Sequence, residues 1–193
     1  STAYITNNGL ATITVDRLNR VDKYSYDSKG NVTQHTYPDL NLDKYAYNSF
    51  SQVTQFTDAN NHISTYTYDV KGNLTESRDP LNNRTTMTYT ANGMVATVKD
   101  ANSNVTSLQY DSQDRLTTVT NPDASTVLYS YDSQGNVESV QDERGNRTTR
   151  TYDALNRPTV IQDALNNLTT LTYDAAGNLT VQKLPTPSGQ TAR

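Results

Sequence analysis

Large apolar or aromatic side chains alternate with small polar ones in short segments along the chain. Tyr66 and Tyr68 lie two residues apart with a threonine between them, and Met87 and Tyr89 repeat the arrangement further along. Successive side chains of a β-strand point to opposite faces, so this alternation predicts strands with one apolar, aromatic face and one polar face. Each segment is about six residues long, which is a typical strand length.

The alternation recurs with a period of 21 residues, without insertion or deletion. A repeat of this kind is typical of proteins built from stacked supersecondary units. A tyrosine ends the alternating segment of each repeat, at Tyr26, Tyr47, Tyr68, Tyr89, Tyr110, Tyr131, Tyr152 and Tyr173. We therefore interpret residues 1–193 as a single array of about nine repeats, 5–25, 26–46, 47–67, 68–88, 89–109, 110–130, 131–151, 152–172 and 173–193.

Each repeat has a first turn directly after its tyrosine. Asp is the usual next residue, and three positions later comes a residue for which a left-handed backbone is predicted. Where glycine is absent, that position holds Asp114, Asn156 or Ser51, and the first two of these tolerate positive φ well. The turn glycines are Gly9, Gly30, Gly72, Gly93, Gly135 and Gly177.

A second turn begins ten residues after the first, usually at Asp or Asn. Proline follows the acid at Pro80, and Asn82 or Gly145 exemplifies the residue three positions after it. A polar first residue, a proline next and a left-handed residue last are typical of a type I turn followed by a bulge. Both turns therefore predict three-residue hairpin loops, one at each end of the strands.

The first strand of each repeat departs from strict alternation. Val95 and Val98 are three residues apart, as are Leu116 and Val119, so a regular strand would place each pair on opposite faces. We expect a β-bulge that brings both members to one face, at a position that the sequence does not fix. The predicted fold is all-β, with tandem β-hairpins joined into one long curved antiparallel sheet strip in which each hairpin depends on its neighbours.

The composition of the chain argues against several classes of function. The 193 residues include 16 basic and 20 acidic side chains, a net charge of -4, which gives no general attraction to nucleic acid or to an anionic membrane. The absence of cysteine excludes disulfides and thiolate metal sites. No apolar run is long enough to span a bilayer. We therefore expect no nucleic-acid partner and no membrane span.

Candidate catalytic and metal-binding residues are few. The acids of Asp39 to Lys44 have the spacing that opens a calcium loop, but Lys44 and Phe50 stand where such a loop needs glycine and glutamate. His35 and His62 occupy different positions in their repeats, which argues against a shared zinc site. No nucleophile-base pair or phosphate-binding glycine loop is present, so we expect no metal, no cofactor and no enzymatic activity.

Two further patterns concern ligands and modification. The one basic cluster can bind phosphates or sugars together with Tyr152, and it comprises Arg144, Arg147, Arg150 and Arg157. The alternative is a solvated surface balanced by the acids Asp142, Glu143 and Asp153. Seven glycosylation sequons recur because asparagine leaves a turn and threonine enters a strand, at Asn31, Asn73, Asn83, Asn104, Asn146, Asn167 and Asn178.

The repeats resemble those of a known family. The segments YDSKGNVTQ, YDVKGNLTESRDPLNNRTTMTY, YDSQGNVESVQDERGNRTTRTYD and YDAAGNLTV are similar to the YD repeats of Rhs proteins, which run Tyr-Asp-x-x-Gly-x-Leu-Thr, Asp-Pro-x-Gly and Thr-x-Tyr. The resemblance implies a segment of a spiral β-shell. Such shells occur in the C component of bacterial ABC toxins, in Rhs effectors of type VI secretion, in wall-associated proteins and in animal teneurins. The bacterial shells enclose a C-terminal toxic domain until delivery.

The resemblance therefore implies a non-enzymatic structural segment of a bacterial protein that is secreted or exposed at the cell surface. Its implied partners are the remainder of its own parent polypeptide and an encapsulated toxin domain, and nine repeats are too few to close a shell. The repeat tyrosines and turn glycines are expected to be structural. Two alternatives stay open: a cell-surface adhesion or carbohydrate-binding array, and self-association through the open sheet edges at both ends.

Overall fold

The computed structural model describes residues 3–7 and 9–185, with side chains described from residue 9 onward. These residues form strands in two segments, Ser1–Asn104 and Val105–Arg193. The N-terminal segment contains β1 (Ala3–Asn7), β2 (Leu10–Val15), β3 (Val21–Tyr26), β4 (Val32–Thr36), β5 (Leu42–Tyr47), β6 (Val53–Thr57), β7 (Ile63–Tyr68), β8 (Leu74–Arg78), β9 (Arg84–Tyr89) and β10 (Val95–Lys99). The C-terminal segment contains β11 (Val105–Tyr110), β12 (Leu116–Thr120), β13 (Thr126–Tyr131), β14 (Val137–Gln141), β15 (Arg147–Tyr152), β16 (Pro158–Gln162), β17 (Leu168–Tyr173) and β18 (Leu179–Lys183).

Within each segment, every strand pairs antiparallel with the next strand of the chain. The predicted all-β fold of antiparallel hairpins is confirmed. The described strands of a segment contact only the strand before and the strand after, so each segment is a single layer of sheet. No helix that could cross a membrane occurs in the part of the chain that the structure describes.

Most turns are closed by the side chain of their first residue, which is usually Asp. In the turn that follows Tyr68, the Gly72 N–H donates to the Asp69 carbonyl at 3.0 Å, and the Asp69 N–H donates to the Asn73 carbonyl at 2.9 Å. Oδ1 of Asp69 accepts from the backbone N–H groups of Lys71 and Asn73, both at 2.9 Å, and Oδ2 accepts from Asn73 Nδ2 at 2.9 Å. This is the three-residue loop with a left-handed last residue. The other turns between residues 16 and 178 have the same pair of backbone bonds.

The turn carboxylates are held in their charged form by these donors. The Asn73 side chain, together with the backbone N–H groups of the loop, holds the pKa of Asp69 below its usual value. Asp79, in the second turn of the same repeat, is bonded in the same way to Asn83, and its pKa is lowered too. The pKa is likewise lowered at Asp16, Asp27, Asp58, Asp100, Asp132, Asp142, Asp153, Asp163 and Asp174.

The left-handed position of the turns is filled by residues that differ in how well they tolerate it. All six assigned turn glycines have positive φ, and so do Asp114, Asn156 and Ser51. The structure adds Leu40, which has a φ of 69° although leucine does not favour this region. Its side chain is 77% exposed, so packing does not compensate for the backbone strain.

A β-bulge lies near the start of every even-numbered strand, after its first residue or, in β2, after its second. In the hairpin of β7 and β8, Tyr68 is opposite Leu74 and Thr67 is opposite Glu76, which leaves Thr75 as the extra residue. Similar register shifts occur in the hairpins from β1–β2 through β17–β18. The expected bulge is therefore present, and it places residues three apart, such as Leu74 and Ser77, on one face of the sheet.

The sheet has no buried apolar core of its own. Among the residues whose side chains the structure describes, no hydrophobic side chain is buried, and the buried polar residues are Asp43 and Ser139. In β7 the burial alternates, with Tyr66 and Tyr68 partly covered and Thr67 exposed. The aromatic face is therefore only half covered by its neighbours along the sheet.

The first prediction concerns acid. Because the folded-state pKa values of the turn aspartates lie below the unfolded value of about 3.9, their contribution to the free energy of unfolding is fully present above that pH. It is lost as the pH falls through the lowered folded values. We expect the midpoint of urea denaturation to fall steeply below about pH 4. Circular dichroism at a series of pH values measures this midpoint.

The matched variants are Asp69→Asn and Asp69→Ala. Asn48 already serves as the first residue of a turn, with Oδ1 accepting from the N–H groups of Phe50 and Gln52. We therefore expect Asp69→Asn to have a urea midpoint near that of wild type at neutral pH, and a midpoint that falls less steeply as the pH is lowered. Asp69→Ala should be destabilised at neutral and at acid pH. An unchanged acid decline in Asp69→Asn would contradict the assignment.

The second prediction concerns the strained turn. We expect Leu40→Asn to raise the free energy of unfolding by about 1 kcal/mol, because asparagine tolerates the left-handed backbone that leucine resists. The reciprocal variant Asn82→Leu, at the same turn position with φ of 63°, should lower it by a similar amount. Equilibrium urea denaturation measures both, and a loss of stability in Leu40→Asn is the opposing result.

Candidate functional site

The repeat tyrosines join consecutive hairpins through their hydroxyl groups. Seven of these hydroxyls donate to the backbone carbonyl oxygen of the residue 15 positions earlier, at 2.6–2.9 Å. We call this hydrogen bond the tyrosine latch. The pairs are Tyr26 to Ala11, Tyr47 to Val32, Tyr68 to Val53, Tyr89 to Leu74, Tyr131 to Leu116, Tyr152 to Val137 and Tyr173 to Pro158.

The latch lies where the hydrogen-bond ladder between two hairpins ends. The register of β6 with β7 pairs Gln55 with Thr65 and continues away from the bulge, so it does not extend back to Val53. The Tyr68 hydroxyl reaches that carbonyl instead. The partial burial that the latch requires raises the pKa of Tyr68, as it does for Tyr47 and Tyr131. The latch therefore supplies a bond between hairpins at a point where the backbone ladder supplies none.

The aromatic face has a cluster of rings in β5 to β7. The rings of Tyr45 and Phe56 lie 5.2 Å apart, opposite each other on paired strands. Together with Val53, Tyr66 and Tyr68 they line an open depression of about 450 Å³. Aromatic rings at this spacing can pack on one another and still present apolar surface to a ligand.

His35 belongs to a second ring cluster, in β3 to β5. Its ring stacks on Tyr24 with centroids 4.5 Å apart, and it also contacts the ring of Tyr37. His35 Nε2 lies 2.8 Å from Asp22 Oδ1, and the Tyr37 hydroxyl donates to Asp43 Oδ2 at 2.7 Å. This bond and the neighbouring carboxylate raise the pKa of Tyr37 to about 12. Each charged group of the cluster has a partner inside it, which suits a structural role.

The candidate metal ligands are not brought together. Asp39 accepts hydrogen bonds from Asn41 within its turn, whereas Asp43 binds Tyr37 on the aromatic face. His62 is paired with Asp58 in a different turn. Among residues 9–185, no group of three or more His, Asp or Glu side chains is arranged to hold a metal ion.

The basic cluster is only partly paired. Arg157 Nε donates to Asp153 Oδ2 at 2.7 Å, and its guanidinium carbon lies 4.5 Å from the centroid of the Tyr173 ring, a cation–π distance. Asp142 binds Asn146, not an arginine side chain. No side-chain hydrogen bond or ion pair to a described residue is formed by the other three members, Arg144, Arg147 and Arg150.

The sequon asparagines and several turn residues also make contacts that bind the array together. All seven sequon side-chain amides donate to the Asp that begins their turn, which explains why the pattern recurs. At the tips, Gln52 Nε2 donates to the carbonyl of Gly72 and Lys71 Nζ donates to that of Ala91, each in the next repeat. These bonds and the tyrosine latch repeat along the chain and point to a structural surface.

The latch acceptors and the fifth residues of the turns were missed by reasoning from sequence. A signal was available for each. The repeat position of Tyr68 is never phenylalanine, although the position of Tyr66 varies among tyrosine, methionine, leucine and arginine. That contrast indicates that the hydroxyl, and not the ring alone, is required. The frequent asparagine four residues after the turn Asp indicates a second partner for the carboxylate.

A family model described as RHS repeat matches the chain five times, at residues 47–84, 68–102, 89–126, 131–167 and 152–191. These ranges together cover more than half of the sequence. No protein with a curated description matches the chain.

Solved structures share the fold. The crystal structure of TcdB2-TccC3-Cdc42 aligns with a TM-score of 0.74 at 19% identity, over 95% of this chain and 12% of that chain. That of TcdB2-TccC3 aligns with a TM-score of 0.75 at 18% identity, over 98% and 13%. A Photorhabdus luminescens Tc holotoxin pore with a TccC3 variant aligns with a TM-score of 0.74 at 19% identity, over 94% of this chain and 12% of that chain.

This chain thus spans 12–13% of the length of these matched chains, and at such identities the likeness concerns the fold alone. The family model adds what the structural likeness cannot, because it matches the repeat sequence itself. The family model matches most of a sequence that has a 21-residue period and folds into hairpins with a bulge after each first turn. This chain therefore belongs to the RHS repeat family.

Proposed function

We propose that this chain is a non-enzymatic length of wall in a β-shell that encloses a C-terminal toxin for delivery by a larger Rhs-type protein. The supporting observation is that each segment is a single layer of sheet in which consecutive hairpins are joined by the tyrosine latch, with no hydrophobic side chain buried among the described residues. A layer of this kind divides two spaces, because it has two solvent-accessible faces of different chemistry. The likeness to TcdB2-TccC3 structures supports the same reading.

The remaining parts of the proposal follow from this role. Residues 1–193 form one array of nine repeats, since turns and latches recur with the same spacing in both segments. The partners are the rest of the parent polypeptide and the enclosed toxin, and the parent is secreted or lies at a bacterial cell surface. The repeat tyrosines link the hairpins and the turn glycines permit the loops. The outer strands pair with further repeats of the parent or with a second copy.

A cell-surface array that binds carbohydrate is the alternative function. The observation that favours it is the open depression lined by Tyr45, Phe56 and Tyr66, because aromatic rings can stack on sugars. Glycan binding that disappears when Tyr45 or Tyr66 is replaced would favour this function over a wall without ligands.

The third prediction tests the tyrosine latch. We expect Tyr68→Phe to lower the free energy of unfolding by about 1 kcal/mol, because it removes one hydrogen bond and leaves the Val53 carbonyl without that donor. The matched control is Tyr66→Phe, which removes a hydroxyl from the same face of the same strand where the structure gives that hydroxyl no partner. Urea denaturation and amide exchange of β6 and β7 measure the difference. Equal effects of the two variants would show that the latch adds no stability.

The fourth prediction concerns the parent protein. Negative-stain electron microscopy of the full-length parent is expected to show a hollow particle whose wall is one sheet thick. A solid or thread-like particle would falsify the shell, while leaving the hairpin array and its latches intact.

A further inference from the structure

Arg150 occupies a position that is apolar or aromatic in the other repeats. It lies in β15, two residues before Tyr152, and its register partner on β16 is Ile161. The residues at the same position elsewhere are Tyr24, Tyr45, Tyr66, Met87, Leu108, Tyr129 and Leu171. The chain therefore has one guanidinium in a row of side chains that belongs to the aromatic face.

Other charged groups of that face have partners. In the N-terminal segment, Asp22 lies 2.8 Å from His35, and Asp43 accepts a hydrogen bond from Tyr37. Arg150 is partly buried, yet its guanidinium makes no hydrogen bond or ion pair with any residue that the structure describes. A partly desolvated guanidinium with free donors gains more from an incoming anion than an exposed one does, because the attraction is less screened.

The surroundings of Arg150 limit the kind of anion. Val137, Val140 and Pro158 hold the positions of the same face on the adjacent strands, so the guanidinium is flanked by apolar surface. A polyanion such as nucleic acid is recognised by several unpaired cations together. Arg115 and Arg157, which lie over the Tyr131 and Tyr173 rings, are each already paired with an Asp. The planar fork of arginine matches the two oxygens of a carboxylate. An apolar ligand with a single carboxylate fits both features.

We propose that Arg150 is the centre of a peptide-binding surface in the C-terminal segment, where it binds the carboxylate of an Asp or Glu side chain within an otherwise apolar, extended polypeptide. The flanking apolar positions contact the apolar residues of that polypeptide on either side of the acid. The site is a property of this chain alone, and it does not depend on whether the parent closes into a shell.

The test uses the full 193-residue chain and two fluorescently labelled peptides, one apolar with a single central glutamate and one with glutamine in its place. We expect fluorescence anisotropy to show about tenfold tighter binding of the glutamate peptide, the size of one hydrogen-bonded charge pair. Arg150→Leu should abolish this preference, and leucine already stands at the same position at Leu171, so the fold is retained. Arg150→Lys, which keeps the charge without the fork, should retain only part of it.

The matched control is Arg147→Leu, which makes the same charge change in the same strand on the opposite, exposed face. It should keep the tenfold preference. The proposal is overturned if the wild-type chain binds both peptides equally or binds neither, if the preference survives in Arg150→Leu, or if Arg147→Leu abolishes it as well.

Discussion

The hydrogen bond between a repeat tyrosine and a carbonyl 15 residues earlier is the constraint on which the sheet of each segment depends. A strand in a single layer has only two neighbours, so any gap in its ladder is not compensated by packing from above. The bulge at Thr75 and its equivalents makes such a gap between hairpins, and the latch closes it, at Thr75 through the Tyr89 hydroxyl and the Leu74 carbonyl. The ring places apolar surface on the face where the gap lies, so one side chain serves both purposes.

This bond also explains the constant period. The distance along the chain from Tyr68 back to Val53 includes a strand, one complete turn and the next strand, each with a set number of residues. One inserted residue would reverse the alternation beyond it and move the hydroxyl away from its acceptor. The turns are consequently all of one kind, although their sequences differ, and the Asp at the first position with its partner four residues later keeps them so.

The strands and turns could be predicted from local sequence patterns, whereas features that depend on how strands align could not. The strands followed from alternation, and turns such as the one at Gly72 followed from residues that favour positive φ. Leu40 could not be predicted there, because its intrinsic preference opposes the conformation that the neighbouring strands impose. The bulge position and the acceptor of Tyr68 depend on how two strands align. The acids close to Arg150 in sequence suggest ion pairs, but they lie in turns and bind other residues there. The sequence therefore did not show that the Arg150 guanidinium has no partner.

No hydrophobic side chain is buried among those that the structure describes, and this has a thermodynamic consequence. The heat-capacity change of unfolding grows with the apolar surface that becomes exposed, and a half-covered face has little left to expose. The curve of stability against temperature is therefore flatter than that of a globular domain of equal length. Because each hairpin is held only by its neighbours, melting within a segment proceeds strand by strand and not as a single all-or-none event. Such a sheet loses stability gradually as the temperature rises.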